Sequence, residues 1–513
     1  MKTNVCLSRD DFASVKNMFE ERRISGYMRT PGYLRLNMLI ALLLFFIASV
    51  NAVSNNLQIS NVSLTGHNAA QQFVMVNFSI GWENSWANDA AWVFVKFRVG
   101  SGDWGHATLH TSGHSGATIT TPSDGKGVFI AGNTAGGLAS YPNIQLRWNY
   151  YLDGVSTASP DVQVRVFGIE MVYVPQGSFY VGDGSTSALH GQFHDASNTT
   201  TPFHVTTDGT IGLGGTSSGR LCERSGAYFS GDFDASTQQT LPSAFPTGYD
   251  AFYCMKYEIS QQQYVDFLNS IPAAMADRRY STGNNVFRYQ ITRTGTSPNY
   301  TFSTTYPHVP CAFLSGVDGM AYADWSALRP MSELEFEKAC RGPAQPVPDE
   351  FAWGDTKNMK ATGVTNPGQT YETPYPVGAN IAASPGTSNT GPMRSGSFAM
   401  NMNTRLQSGA SYYGIMELSG NLWEHCYPIS NSTFRAFDGS HGDGYLEPSG
   451  TWIGDPTNTG WPNRHVHVHT GGFRGGSFKW YIEQSRVSDR YLSFYGGSDR
   501  TEQWGFRCVR TAP

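Results

Sequence analysis

The chain has 513 residues, with 35 Lys and Arg against 40 Asp and Glu and a net charge of −5, so nothing favours a nucleic-acid partner, which needs concentrated basic surface. Only 15% of residues are charged, 13% are aromatic and 56 are glycine, a composition of turns and loops held by ring packing that excludes a chain made mainly of long helices. At this length one hydrophobic core does not suffice, and at least two domains are expected.

Near the start, residues 38–48 (MLIALLLFFIA) are apolar but too few to span a bilayer. Arg29 and Arg35 precede them, and Val50 and Ala52 supply the small-residue pattern of a secretory cleavage site. Residues 1–52 therefore read as an N-terminal extension and signal peptide. The mature chain is expected to begin at Val53, with an uncleaved anchor as the alternative, and Met28 opens a more compact basic leader than Met1 does. The protein is expected to be exported to periplasm, cell surface or medium, with no membrane span after cleavage. Cys6 leaves with the leader, and the six remaining cysteines, an even number, permit disulfides whose pairing is open.

From 53 to 168 the pattern is alternation, in QISNVSL (58–64), FVMVNFSI (73–80), WVFVKFR (92–98), IQLRWNY (144–150) and VQVRVF (162–167). Apolar residues at every second position, with Gly, Asn and Asp between the runs, predict an all-β, immunoglobulin-like sandwich. His67, His106, His110 and His114 are scattered through it without a catalytic grouping.

From 169 to 513 the chain is predicted to be a loop-rich α+β domain. Ser260 with Gln263, and Ser332 with Glu335, form the S-x-x-E/Q capping box and predict helices over 261–270 and 333–341. Residues 184–249, rich in Ser, Thr, Gly and Asp, read as a long loop. His465, His467 and His469 alternate with valines, which on a strand puts three imidazoles on one face about 7 Å apart, a candidate metal stripe.

Several motifs recur in order: MVYVPQGSF (171–179), DAFY (250–253), YEIS (257–260), RPMSELEFE (329–337), WGD (353–355), YGIMELSGNLWE (413–424), GGFRGGSF (471–478) and GFRC (505–508). Together they resemble the sulfatase-modifying-factor domain of formylglycine-generating enzymes, a variant of the C-type-lectin fold. On that resemblance 184–249 is an insertion. Cys340 and Cys508 lie where the family can carry bridge cysteines, but the usual partner positions hold Ala323 and Val487.

The family's enzymes hold copper between two thiolates in the segment that here separates GGFRGGSF from GFRC. Residues 478–507 contain no cysteine: the first thiol position is Trp480, and the second is Ser485 or is deleted. Copper is therefore not expected, since Cu(I) selects soft sulfur ligands. The resemblance also implies a structural Ca²⁺ site from Glu417, Gly420, Leu422 and Glu424, and half of a second from Asn380 and Ile381, with Asn389 the nearest downstream candidate. The sulfoxide synthases that share the fold need an H-x-x-x-H-x-E motif; His190 and His194 have the spacing, but Ala196 stands in place of the Glu.

In the cleft-lining segment, Trp480, Tyr481, Tyr491 and Tyr495 are interleaved with Ser477, Lys479, Glu483, Ser485 and Arg490. Flat amphipathic rings among polar groups make a recognition surface. The chain is therefore expected to be a non-catalytic binding or cell-surface structural module, with a glycan or a protein at the cell envelope as partner. The alternative is an enzyme whose chemistry has been rebuilt without cysteine.

Overall fold

A computed structural model describes residues 57–513 except 134–136, 157–158, 160, 188–189, 225–230, 388–389, 400–403, 467–470 and 496–499. The expected leader, start and cleavage point, and His467, His469 and Asn389, lie outside the described residues.

The alternating segments form strands β1 (Gln58–Asn68), β2 (Phe73–Ser85), β3 (Asp89–Val99), β4 (Val128–Ala131), β5 (Gly137–Trp148) and β6 (Val162–Val174). β1, β2 and β5 make an antiparallel three-stranded sheet. In β2 every second residue from Val74 to Trp82 is buried, and this row packs with Ile144, Leu146 and Trp148 of β5 against Ala91, Val93 and Val95 of β3. Two sheets thus enclose one apolar layer, and each fully buried aliphatic or aromatic side chain in it contributes roughly 1.5–3 kcal/mol.

The other face of β3 enters a different core. Ala90, Trp92 and Phe94 pack with residues from far along the chain, and Trp92 Nε1 donates to the Ser326 carbonyl at 2.9 Å. β3 pairs with β6 from Asp89↔Val172 to Val99↔Val162. β6 then pairs with β7 (Phe252–Met255), so the boundary expected near 168 falls inside a continuous strand. The sheet continues through β8 (Arg329–Ser332), β9 (Trp423–Tyr427), β10 (Gly472–Arg474) and β11 (Cys508–Thr511) in the order β10-β9-β8-β11-β7-β6-β3-β4. The described residues belong to one compact unit, Val53–Pro513.

Both expected capping boxes are present, starting α1 (Gln261–Leu268) and α4 (Glu333–Arg341). Between them lie α2 (Ala273–Arg279) and α3 (Gly316–Trp325). The α3 box pairs Ser315 with Asp318, which the Glu/Gln signature does not detect. Every residue of α4 is buried, because its acidic positions are paired: Glu335 with Arg329, Glu337 with Arg341 and Arg474, and Glu333 with Arg490.

Residues 184–249 are more ordered than their composition predicts. Phe193–Asp195, Leu221–Glu223, Ile211–Leu213 and Gln239–Leu241 form a four-stranded sheet, and Phe193, Leu213, Leu221 and Leu241 join the main core. Three-residue strands are too short for alternation to stand out, which is why this stretch reads as loop. Among the described residues no helix is long and apolar enough to cross a membrane.

Candidate functional site

The turn between GGFRGGSF and the following 3-10 helix, Ile482–Ser485, carries Trp480 and Tyr481, and the other two aromatic candidates follow the helix. Gly476 has φ +74°, and a Cβ there would run into Ser485, so only glycine fits where this turn passes Ser485. Phe478 N donates to the Asn421 carbonyl at 2.8 Å, Thr387 Oγ1 to the Phe478 carbonyl at 3.0 Å, and Ser384 N to the Trp480 carbonyl at 2.9 Å. The segment is thereby pinned by its backbone, while the side chains of Lys479, Tyr481 and Glu483 are exposed and that of Trp480 is half-buried.

Tyr481 is 66% exposed and Glu483 is exposed. Trp480 is half-buried, its ring 6.4 Å from Trp423 and 5.9 Å from Tyr491. Tyr491 and Tyr495 are half-buried against the cluster of Trp423, Phe473, Leu492 and Trp504. Lys479 pairs with Glu502 and lies 5.0 Å from the Phe287 ring centroid. Ser477 is buried, with Oγ 3.3 Å from Gln503 Oε1. Ser485 Oγ and Trp423 Nε1 are buried and, among the described residues, meet no hydrogen-bond partner.

Arg490 is not part of that surface. It is wholly buried, donating to Glu333 (2.8 and 2.9 Å), Glu223 (2.7 Å), Ser430 Oγ (2.8 Å) and the Gly191 carbonyl (2.6 Å), so its guanidinium is a structural cation. Nothing in its sequence neighbourhood reveals partners 157 and 267 residues away.

The ELSGNLWE segment builds a second centre, a buried carboxylate cluster. Glu424 accepts three hydrogen bonds from Arg507, at 2.7, 2.9 and 3.0 Å. Glu258 accepts from Leu422 N (2.9 Å) and Asn421 Nδ2 (2.6 Å). Glu417, at φ +57°, accepts from Gly396 N at 2.9 Å through Oε1, while its buried Oε2 has no donor among the described residues. Burial pushes the Glu417 carboxyl up to about 7 against the opposing pull of Arg507. Burial also raises Glu258 well above the usual carboxylate range, with Glu424 adding to the shift. Glu258 was not among the sequence candidates; its YEIS motif is the signal that marks it.

The Sulfatase-modifying factor enzyme 1-like domain profile matches residues 222–512, more than half of the chain. The chain belongs to this family. No curated protein matches it. The match opens inside the 184–249 stretch, later than the first resembling motif at Met171.

Measured against a calcium site of the family, the cluster fits in part. Glu417 Oε2, a hard oxygen in need of a positive partner, suits a divalent cation. Glu424 would have to share its oxygens with Arg507. At the second half-site Asn380 accepts from Met359 N and donates to the Leu406 carbonyl, both at 2.8 Å, and the Ile381 carbonyl accepts from Ala361 N. Those groups close a turn by hydrogen bonds.

All six cysteines from Cys222 to Cys508 are free and buried. Burial holds the Cys311, Cys340, Cys426 and Cys508 thiols well above their ordinary range and pushes Cys254 up to about 12. His465 stacks on Trp452 and meets two carboxylates, Asp455 Oδ2 at 3.3 Å and Glu447 Oε1 at 3.7 Å, a pairing that the stripe pattern does not reveal. Among the described residues no group of three or more His, Cys, Asp or Glu is placed to hold a metal ion.

Proposed function

We propose that this family member is an exported, non-catalytic recognition module whose ligand lies across Trp480, Tyr481 and Glu483, with Lys479 at the edge. The observation that carries the reading is the exposed ring of Tyr481 beside half-buried Trp480, where the family's copper enzymes present thiols. Stacking faces flanked by a carboxylate and an ammonium suit a glycan or a protein loop at the cell envelope. The family's oxidation needs an accessible thiolate pair, whereas the thiols here are buried. In this reading the N-terminal strands are an immunoglobulin-like spacer, and Glu417 with the Gly420 and Leu422 carbonyls and Glu424 would hold a structural calcium ion that stiffens the turn under the site.

The test is a binding screen of the secreted protein against glycans and cell-envelope extract, in calcium and in chelator, with a Trp480→Ala/Tyr481→Ala double variant. Saturable binding that disappears in a folded double variant supports the reading. Binding that persists there places recognition elsewhere and overturns it, and turnover of any substrate would favour the rebuilt enzyme.

A further inference from the structure

At the seam between β3, β6 and the end of β7, one ammonium meets two carboxyls in the interior. Lys256 Nζ is 2.7 Å from Asp89 Oδ2 and 3.7 Å from Glu170 Oε2. The three side chains are at most 4% exposed. Strand pairing fixes the grouping: Asp89 opens β3, Glu170 lies in β6 beside it, and Lys256 N donates to the Glu170 carbonyl at 2.9 Å. Apolar rings close the site, with the Trp86 centroid 4.4 Å and the Tyr257 centroid 5.7 Å from Nζ. Nζ also donates to the Asn84 carbonyl at 2.6 Å.

An ordinary buried ion pair needs one carboxylate for one ammonium. The second acid here is in excess, and among the described residues neither Glu170 oxygen has a hydrogen-bond partner. Burial pushes Glu170 up to about 8, so it carries a proton at neutral pH. An amine held against a carboxyl in a dry pocket, with a protonated acid alongside, is an arrangement of reactants rather than of a salt bridge alone.

We propose that Lys256 and Asp89 join in a self-formed isopeptide bond that ties the N-terminal sandwich to the family domain, with Glu170 carrying the protons. In the first step the proton on Nζ passes to Asp89 Oδ2 along their 2.7 Å contact, which frees the nitrogen lone pair and makes the carboxyl an acid. The Nζ lone pair attacks Cγ of Asp89. Glu170 gives its proton to the departing hydroxyl and takes one from nitrogen, ending as it began. The new bond is Nζ–Cγ, the bond broken is Cγ–OH, one water leaves, and no oxidant or cofactor is needed. A covalent tie between two parts of a chain suits a protein exposed outside the cell, where lost non-covalent structure is not repaired.

The experiment is intact-mass and peptide-mapping spectrometry of the purified full chain, reduced and denatured. The expected result is a mass one water below that of the sequence, with a branched peptide joining Asp89 to Lys256. A mass equal to that of the sequence, with the two residues in separate peptides, overturns the proposal. Glu170→Gln keeps the ion pair but removes the proton carrier, and is expected to restore the full mass in a folded protein. Retention of the bond in that variant overturns the role given to Glu170. A one-water loss that survives in Lys256→Arg belongs to another site and also overturns the proposal.

Discussion

The Glu417 carboxyl gives the sharpest test of the buried cluster. Its ordinary value of 4.5 is raised to about 7 by burial, and Oε2 has no donor among the described residues. Between these values the unfolded chain releases the proton while the folded chain keeps it, so folding stability falls as pH rises through this window. Each pH unit is worth about 1.4 kcal/mol, so the window as a whole costs about 3 kcal/mol. Below 4.5 both states are protonated and the penalty vanishes. Glu417→Gln removes the ionisation and keeps the side-chain length. Denaturant midpoints at pH 5 and pH 8 should show the variant losing about 3 kcal/mol less than the wild type across that interval, on the same order as the shift. The difference between variant and wild type isolates Glu417 from Glu258 and Glu424, whose carboxyls are also raised. Added calcium should flatten the wild-type slope, because a cation at Oε2 replaces the proton, and should leave the variant unchanged. Parallel pH profiles for the two proteins would refute the assignment of an unpartnered, proton-holding carboxyl.

Arg490→Met removes the only cation paired with Glu223 among the described residues and leaves buried Glu333 with Arg474 alone, at 3.5 Å, and should lower stability by about 3 kcal/mol, read as a lower thermal midpoint; an unchanged midpoint would return Arg490 to the candidate ligand surface. Ser332→Ala deletes the α4 cap and its bond to the Pro246 carbonyl, and should cost about 1–2 kcal/mol in chemical denaturation. Trp480→Ala/Tyr481→Ala should change stability by less than about 1 kcal/mol for exposed Tyr481, with the larger share of any loss from half-buried Trp480, as separate single variants would show. The buried thiols should resist a thiol reagent in native buffer and react after denaturation, whereas rapid labelling of the native protein would contradict their placement.

Local patterns carried much of this protein. Alternation in β2 marked a sandwich strand because one of its faces is buried and the other is not, and the Ser260 and Ser332 capping boxes marked α1 and α4 because the donor, acceptor and spacing all lie within four residues. The order of the motifs pointed to the family that the profile match shows. The missing thiols in 478–507 were legible as plain identity.

Tertiary structure decided what depends on distant partners. Alternation could not show that β6 runs on past 168 into the second part of the chain, since strand pairing and not composition sets where a sheet ends. Arg490 looks the same in sequence whether it faces a ligand or Glu333 and Glu223, and only the fold brings those acids to it. The same holds for Asp89, Glu170 and Lys256, three ordinary charged residues in three separate segments. Their chemistry exists only because adjacent strands exclude water and bring one amine between two acids, and desolvation is a property of the packed molecule that no local run of residues encodes.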